Sequence, residues 1–168
     1  ATLSMLTCAL LVAQVVLCFN AQPAEAFAGL YTATAAAQVM KVILTAGAFI
    51  VVVMAQSWIE REDVLRKEGE FYELIVSTLL GMYMMISSGH FLMFFLGLEM
   101  ASVPMACLVA FDKYKKESAE GAAKFVLTAT FSSGVMLYGI SFLYGACGTL
   151  YFDDMAAKIS ASPLTIMG

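Results

Sequence analysis

Two ionisable residues, Glu99 and Lys124, stand inside long apolar stretches of the sequence. Glu99 is the ninth residue of the stretch 91–111, and no other charged residue lies within eight positions before it or twelve after it. A carboxylate at the centre of a bilayer costs at least about 2.5–3.5 kcal/mol on insertion scales, so it normally faces a bundle interior or water. We therefore interpret Glu99 as a proton or ion site. The alternative is a glutamate that only hydrogen-bonds a neighbouring helix.

The residues around Glu99 favour the functional interpretation. Gly97 and Ala101 flank it with small side chains, which permit a close helix approach or leave room for water. Pro104 has no N–H to donate to the carbonyl of Met100, so it predicts a kink and a free backbone acceptor beside the carboxylate. A kink beside a buried acid suits a hydrated, adjustable site.

Lys124 is the second candidate for proton transfer. With Ser118 as the predicted helix cap, Lys124 lies about 9 Å from the start of its helix, since a helix rises 1.5 Å per residue. The orientation predicted from the basic residues makes this start the cytoplasmic end. The alternative is a lysine that snorkels back to the interface. Gly121, Thr128 and Ser132 argue against this alternative, because this face is small or polar and suits packing or hydration.

Neither residue has an obvious partner within the sequence. By the same helical rise Glu99 lies about 18 Å from its cytoplasmic helix end, so a direct ion pair with Lys124 is not expected. Lys41 is interpreted as a snorkelling anchor at the outer end of its stretch, and Glu73 is expected to reach the cytoplasmic interface. Glu99 therefore implies a partner on another part of the polypeptide or on another subunit.

The composition predicts that lipid is the solvent of this chain. Of its 168 residues 61% are hydrophobic and 13% are charged, and the mean hydropathy is +0.85. Soluble domains carry about 25% charged residues. No basic patch indicates a nucleic acid partner. The four cysteines lack metal-ligand spacing and His90 is the single histidine, so neither a metal nor a cofactor site is expected in the chain itself.

About 20 apolar residues cross a bilayer core, and five stretches meet or approach that length. They predict an all-α polytopic transmembrane bundle in a single membrane domain, 1–168, with spans at about 2–19, 39–58, 71–87, 91–111 and 119–144. Residues 20–38 are expected to form a loop with a short interfacial helix. The connection 87–90 is a tight turn, so the third and fourth spans should be antiparallel neighbours.

The positions of the basic residues predict the orientation of the spans. Strict alternation places on one side of the membrane the loops 59–70 and 112–118, which contain Arg61, Arg66, Lys67, Lys113, Lys115 and Lys116. The opposite side receives only Lys158. By the positive-inside rule the two basic loops face the cytoplasm or the mitochondrial matrix. The first span would then begin on that side, which suggests that another span precedes it.

Five motifs between 70 and 146 form a combined pattern. They are Glu-Phe-Tyr-Glu-Leu at 70–74, Leu-Gly-Met at 80–82, Phe-Phe-Leu-Gly-Leu-Glu-Met-Ala-Ser-Val-Pro at 94–104, Ser-Ala-Glu-Gly-Ala-Ala-Lys-Phe-Val-Leu at 118–127, and Leu-Tyr-Gly-Ile-Ser-Phe-Leu-Tyr-Gly-Ala at 137–146. Together they resemble the antiporter-like membrane subunits of respiratory complex I, the NADH:quinone oxidoreductase. The Gly-Leu-Glu and Leu-Tyr-Gly-Ile forms are most similar to the subunit N type, the counterpart of mitochondrial subunit 2. The resemblance is strong from about 70 to 150.

The resemblance implies an antiporter-like bundle of about fourteen helices in two inverted repeats, of which this chain would contain five. Glu99 and Lys124 match the family's proton-relay residues. The lysine that pairs with the glutamate would lie on a broken helix beginning near 162–168. The implied activity couples quinone reduction to proton pumping, in an enzyme whose redox chemistry takes place outside this chain.

The implied cofactors of the parent complex are NAD, FMN, iron–sulfur clusters and quinone. The implied partners are other membrane-arm subunits and the lipid bilayer, in the bacterial inner membrane or alternatively the mitochondrial inner membrane. Two competing functions stay open. One is a subunit of a related cation/proton antiporter or membrane-bound hydrogenase, and the other is a membrane scaffold that translocates nothing.

Overall fold

The computed structural model describes residues 2–20, 22–59, 67–112 and 114–158 of the chain. Within these ranges six helices and one small hairpin follow in order: α1 (Thr2–Asn20), β1 (Ala24–Ala26), β2 (Tyr31–Ala33), α2 (Ala35–Ile59), α3 (Glu68–Ile86), α4 (Phe91–Val109), α5 (Lys116–Cys147) and α6 (Phe152–Lys158). The predicted helical fold class is confirmed. Arg61, Arg66 and Lys113 of the basic loops, and the segment 162–168, lie outside the described residues.

Four of the described helices, α1, α2, α4 and α5, are long and apolar enough to cross a membrane. Helix α3 is not among them, since its first two turns contain Glu68, Glu70 and Glu73. It is nevertheless enclosed by its neighbours, with Tyr72, Ile75 and Leu79 among the core residues. The helix ends lie within a few residues of the stretches expected from sequence, and the five-span topology stays a prediction.

Helices α3 and α4 form the tightest pair in the bundle, and two glycines permit their close approach. A Cβ atom added at Gly81 would lie 2.5 Å from the backbone nitrogen of Ala101, and one added at Gly97 would lie 2.7 Å from that of Met85. Residue numbers rise along one helix as they fall along the other, so the two helices are antiparallel, as the tight turn predicts. Small residues at such an interface let two backbones touch.

Aromatic side chains join the helix ends at one end of the bundle, which we call the inner end. The ring of Phe71, at the start of α3, lies 6.0 Å from Trp58 of α2 and 5.4 Å from Phe111, which follows α4. Trp58 and Phe111 are also 6.0 Å apart. The end of α2, the start of α3 and the end of α4 therefore meet on the side of the basic loops.

The opposite, outer end is covered by the hairpin β1–β2, not by the short interfacial helix expected from sequence. The strands pair antiparallel from Ala24–Ala33 to Ala26–Tyr31. Phe27 and Ala28 have positive φ values of 55° and 56°, followed by Gly29 at 85°. Three successive residues with φ above zero reverse the chain sharply and exclude a right-handed helix at the tip. That expectation was wrong.

The hairpin is attached to the turn between α3 and α4 by backbone hydrogen bonds. The N–H of Thr32 donates to the carbonyl of Ser87 over 2.7 Å, and the N–H of Gly89 donates to the carbonyl of Leu30 over 2.8 Å. On its other side the turn bonds to the segment before α6, where the N–H of Phe91 donates to Leu150 over 3.0 Å. These bonds connect three separate parts of the chain into one cap over the outer end.

Helix α5 is the longest and the least covered element. It has 32 residues, about 48 Å at 1.5 Å per residue, which exceeds the roughly 30 Å hydrocarbon core. Gly148 ends it in the left-handed conformation, with φ of 69°. At its start, Ser118 does not cap the helix as expected: the helix begins at Lys116, and the Ser118 hydroxyl donates to the carbonyl of Val109 over 2.6 Å.

Candidate functional site

Glu99 lies half-buried near the middle of α4. It is eight residues from Phe91 and ten from Val109, hence about 12 Å and 15 Å from the two helix ends. Among the described residues, no hydrogen bond or ion pair holds its carboxylate. Its backbone carbonyl accepts a hydrogen bond from the hydroxyl of Ser102 over 3.2 Å. The structure thus keeps Glu99 in mid-helix, with its carboxylate available for a further partner.

The face of α4 that carries Glu99 points away from α3. Gly97 and Ala101 touch α3. Glu99 is two positions from each of them, a rotation of about 200° around the helix axis, so it lies on the opposite side of α4. Leu96 and Val103, at three and four positions from Glu99, are 51% and 59% exposed. These spacings place both on the same face as Glu99. The carboxylate therefore lies within an apolar stripe that no described helix covers.

Lys124 forms an ion pair within its own helix instead of approaching Glu99. Its ammonium lies 2.5 Å from a carboxylate oxygen of Glu120, and the two side chains are 73% and 59% exposed. A glutamate four residues before a lysine is the favourable order for such a pair. In water an exposed pair contributes little. In lipid the same pair would reduce the charge that each residue presents.

The contact between α4 and α5 sets the relative depth of the two candidates. Ser118 of α5 bonds Val109 of α4, so these two residues lie at one level. From that level Glu99 is ten residues along α4 and Lys124 six residues along α5, about 15 Å and 9 Å. The difference of about 6 Å is smaller than the 9 Å expected from sequence. No direct Glu99–Lys124 ion pair forms among the described residues.

Pro104 stands inside α4, which continues through it from Phe91 to Val109. Because proline has no N–H, the carbonyl of Met100 receives no helical hydrogen bond from it. This acceptor lies one residue from Glu99, where water or a polar side chain could use it. The kink at Pro104 stays a prediction.

A cavity of about 420 Å³ opens at the inner end between the start of α3 and the end of α4. Charged side chains of Lys67, Glu70 and Glu73 line it, with Cys107 on the opposite wall. Cys107 is eight residues from Glu99, about 12 Å along the same helix. The cavity thus brings carboxylates to within two to three helical turns of Glu99. Glu73 is exposed, and its place at the interface stays a prediction.

Lys41 is buried, so the interpretation as a snorkelling anchor was wrong. It is 5% exposed, and its ammonium donates to the phenol oxygen of Tyr31 over 2.8 Å. Its side chain lies beneath the hairpin, which prevents it from reaching the interface. The sequence reasoning missed this because Tyr31 belongs to a loop for which a helix was expected. The spacing of four residues between Lys41 and Thr45, which places both on one helix face, is only a weak sign of a buried polar cluster.

A small polar cluster surrounds Lys41. The hydroxyl of Thr45 donates to the carbonyl of Lys41 over 2.6 Å and also bonds the phenol of Tyr83 on α3. Burial alone would raise the pKa of the Tyr31 phenol, but the hydrogen bond from Lys41 and its positive charge hold that pKa below its ordinary value. Within the described residues no group of histidine, cysteine, aspartate and glutamate side chains could hold a metal ion.

The chain is similar to known membrane proteins over nearly its whole length. Residues 88–167 match the family described as "NADH:quinone oxidoreductase/Mrp antiporter, TM". NADH-quinone oxidoreductase subunit N of Phocaeicola vulgatus is 54% identical over 162 residues, which are 96% of this chain and 34% of that protein. Subunit N of Azobacteroides pseudotrichonymphae is 49% identical over 144 residues, 86% of this chain and 30% of that protein. The chain thus spans about a third of the length of these relatives.

Solved structures show the same arrangement of helices. A chain of respiratory complex I from Thermus thermophilus with bound aureothin superposes with a TM-score of 0.75 at 27% identity, covering 98% of this chain and 34% of that one. A chain of the membrane-bound sulfane sulfur reductase, an archaeal respiratory membrane complex, superposes with a TM-score of 0.73 at 20% identity, covering 96% and 34%. The second likeness concerns the fold alone. Together they confirm the predicted antiporter-like helical fold.

Proposed function

Because this chain belongs to the antiporter-like membrane subunits of NADH:quinone oxidoreductase, of the subunit N type, we propose that it is part of a proton-translocating subunit. It is a multi-pass protein of the bacterial inner membrane. In the proposed function quinone reduction elsewhere in the complex drives protons through the membrane arm. NAD, FMN, iron–sulfur clusters and quinone would all be held by other parts of that complex.

The observation that carries this proposal is the position of Glu99. Its carboxylate stands in mid-helix within an apolar stripe that includes Leu96 and Val103, without an ion-pair partner among the described residues. A carboxylate in lipid is costly without a partner or water, so this position calls for one. We propose that helices from the remaining two thirds of the subunit cover the stripe and supply a basic partner.

The proposed mechanism is electrostatic. A cation that approaches Glu99 favours the ionised carboxylate, and a cation that withdraws favours the protonated one. A movement of that partner would therefore make Glu99 release and take up a proton in turn. Protons would reach it from the inner cavity lined by Glu70 and Glu73, through water and the open carbonyl of Met100.

Lys124 has a secondary part in the proposal. In the present arrangement its charge is directed to Glu120 over 2.5 Å, and a depth difference of about 6 Å separates it from Glu99. A change of rotamer would move the ammonium away from Glu120 and toward the level of Glu99. Lys124 would then transmit charge between Glu99 and the inner surface.

Two competing functions lead to different expectations. A cation/proton antiporter subunit would function without NADH oxidation, and the family description includes Mrp antiporters. The 54% identity to a subunit N favours the oxidoreductase. A scaffold that only packs helices would tolerate Glu99→Gln without any change in proton movement.

The experiment is a comparison of Glu99→Ala and Glu99→Gln with the native complex in sealed vesicles. We expect both variants to assemble and to lose proton pumping during NADH oxidation. Blue-native electrophoresis, together with reductase activity toward an artificial electron acceptor, verifies assembly. Glu117→Gln is the matched control, because it also removes one carboxylate, from the exposed first turn of α5, outside the proposed proton path. Unchanged pumping in an assembled Glu99→Ala complex refutes the role.

A further inference from the structure

The buried ammonium of Lys41 lies at the outer end of the bundle and has no part in the mechanism proposed above. It lies six residues inside α2, about 9 Å from that helix end. Its nitrogen is 2.8 Å from the Tyr31 phenol oxygen, 5.0 Å from the Tyr31 ring centre and 6.0 Å from the Tyr83 ring centre. Both aromatic faces attract a cation. An ammonium at 5% exposure is nevertheless costly to bury and calls for a reason.

The groups that face Lys41 leave its positive charge uncompensated. They are the phenol of Tyr31 from the hairpin and the phenol of Tyr83 from α3. The hydroxyl of Thr45 bonds the backbone carbonyl of Lys41, and the thiol of Cys18 and the hydroxyl of Ser87 belong to the surroundings of Tyr31. Thiols and phenols are ordinarily neutral at pH 7. In the part of the chain that the structure describes, no carboxylate forms an ion pair with Lys41. The cluster is therefore a local centre of positive potential.

The cap above this centre is closed by backbone contacts. Thr32 and Leu30 of the hairpin bond Ser87 and Gly89 of the α3–α4 turn over 2.7 and 2.8 Å. A Cβ atom at Gly89 would collide with the carbonyl of Gly29, so the hairpin tip and the turn touch without a gap. Ser87, at the base of this contact, is fully buried. Lys41, at 5% exposure, is shielded by these contacts.

The surface outside the cap carries the opposite charge. Glu25, Asp153 and Asp154 line a depression of about 240 Å³ above the hairpin and the turn. Three carboxylates at one depression raise the local concentration of protons and small cations. A positive charge on the inner side of the hairpin opposes further passage inward, as fixed charges do in selective pores.

We propose that Lys41 is an electrostatic barrier which, with the hairpin that covers it, keeps protons and small cations from crossing the outer end of this helix group. The inference rests on the proposed function, because a proton-translocating subunit keeps its gradient only if the outer end does not leak. It assigns Lys41 to retention of the gradient, whereas Glu99 serves transport.

The test measures passive proton permeability of the complete complex in liposomes, without NADH or quinone. Lys41→Met keeps most of the side-chain volume and removes the charge, and Lys41→Arg keeps the charge. One unit charge acting over about 10 Å at an effective dielectric constant of about 20 lowers the rate at which a cation crosses by roughly tenfold. We expect a leak about tenfold above native for Lys41→Met and a near-native leak for Lys41→Arg.

Lys41→His distinguishes the effect of the charge on the leak from the effect of side-chain packing. It also allows the leak to be measured if the Lys41→Met complex does not assemble. Histidine ordinarily titrates near pH 6.5, so its charge is present at about pH 5.5 and absent at about pH 8. We expect a low leak at the lower pH and a high leak at the higher pH, against a native leak measured at both. A Lys41→Met complex as tight as native, or a Lys41→Arg complex as leaky as Lys41→Met, overturns the proposal.

The two proposals fail in different ways. Glu99→Gln should lose pumping during turnover while its passive leak stays native. Lys41→Met should raise the passive leak while its reductase activity stays native. A complex that never pumps, with a leak that still depends on the charge at position 41, would contradict the proposed function and leave the barrier supported.

Discussion

Replacing Gly81 by alanine should force α3 and α4 apart at the level of Glu99. The added Cβ would lie 2.5 Å from the nitrogen of Ala101, 2.7 Å from the carbonyl carbon of Met100 and 2.8 Å from the oxygen of Gly97. All three atoms belong to the backbone, so no side chain can turn away to make room. An ordinary contact needs at least 3.4 Å, so the two helices must separate by roughly 0.9 Å.

The expected cost follows from packing and helix propensity. Overpacking of a well-packed core costs about 1–3 kcal/mol, and alanine gains about 0.5–1 kcal/mol over glycine inside a helix. The net destabilisation is therefore about 0–2.5 kcal/mol, with a centre near 1 kcal/mol. Gly134 of α5 and Gly47 of α2 have nothing within 4 Å of an added Cβ. Alanine at either position should be neutral or stabilising, which makes them matched controls.

The assay compares melting temperatures of the complete subunit purified in one detergent. Gly81→Ala should melt below native, and Gly134→Ala and Gly47→Ala at or above it. A Gly97→Ala substitution should add little to Gly81→Ala, because the separation caused by the first removes the clash of the second. A Gly81→Ala protein that melts with the two controls would refute the reasoning about this helix contact.

Two further outcomes are expected outside the spans. Ala28→Gly should stabilise the hairpin by about 1 kcal/mol, because alanine at φ of 56° has a left-handed penalty that glycine avoids. Ala26→Gly, within a strand, is the control. Equal melting temperatures of the two variants would contradict this expectation. Lys115→Ala should raise the pKa of Asp112, which its hydrogen bond to Lys115 holds below the ordinary value. Because the folded-state pKa of Asp112 is lowered, the contribution of this pair to stability is present at neutral pH and is lost as the pH falls through that pKa. A carbon-13 NMR titration of labelled aspartate in the native protein and in Lys115→Ala would measure the change in pKa. An unchanged titration of Asp112 in Lys115→Ala would contradict the role of the pair.

Much of the helical architecture could be predicted because lipid imposes a simple rule. Any spanning segment must satisfy its own backbone hydrogen bonds, so a long apolar run is a helix. This rule is sufficient for α1, α2, α4 and α5. The contact of α3 with α4 was also foreseeable, since Gly97 and Ala101 signal a close approach and the turn at 87–90 leaves no room for another arrangement.

The outer cap could not be predicted for an equally physical reason. The hairpin has two strands of three residues each, too short for a periodic pattern, and its shape depends on hydrogen bonds to the distant residues Ser87 and Gly89. The burial of Lys41 depends on this cap. The wrong prediction of a helix in the loop 20–38 therefore led to the wrong prediction that Lys41 snorkels to the interface.

The candidate site was predicted in part. The mid-helix position of Glu99 follows from counting residues along its apolar stretch. The ion pair of Lys124 with Glu120 was missed, although the spacing of four residues was a usable signal. The partner of Glu99 could not be found, because the stripe that contains Leu96 and Val103 is open among the described residues.

The most direct measurement of the central claim is the protonation of Glu99 during turnover. Redox-induced infrared difference spectroscopy of the complete complex detects the carbonyl stretch of a carboxylic acid that gains or loses a proton. We expect such a band in the native complex and in the Glu117→Gln complex, and its loss in Glu99→Gln. A band that persists unchanged in an assembled Glu99→Gln complex would contradict the assignment of Glu99 as a proton carrier.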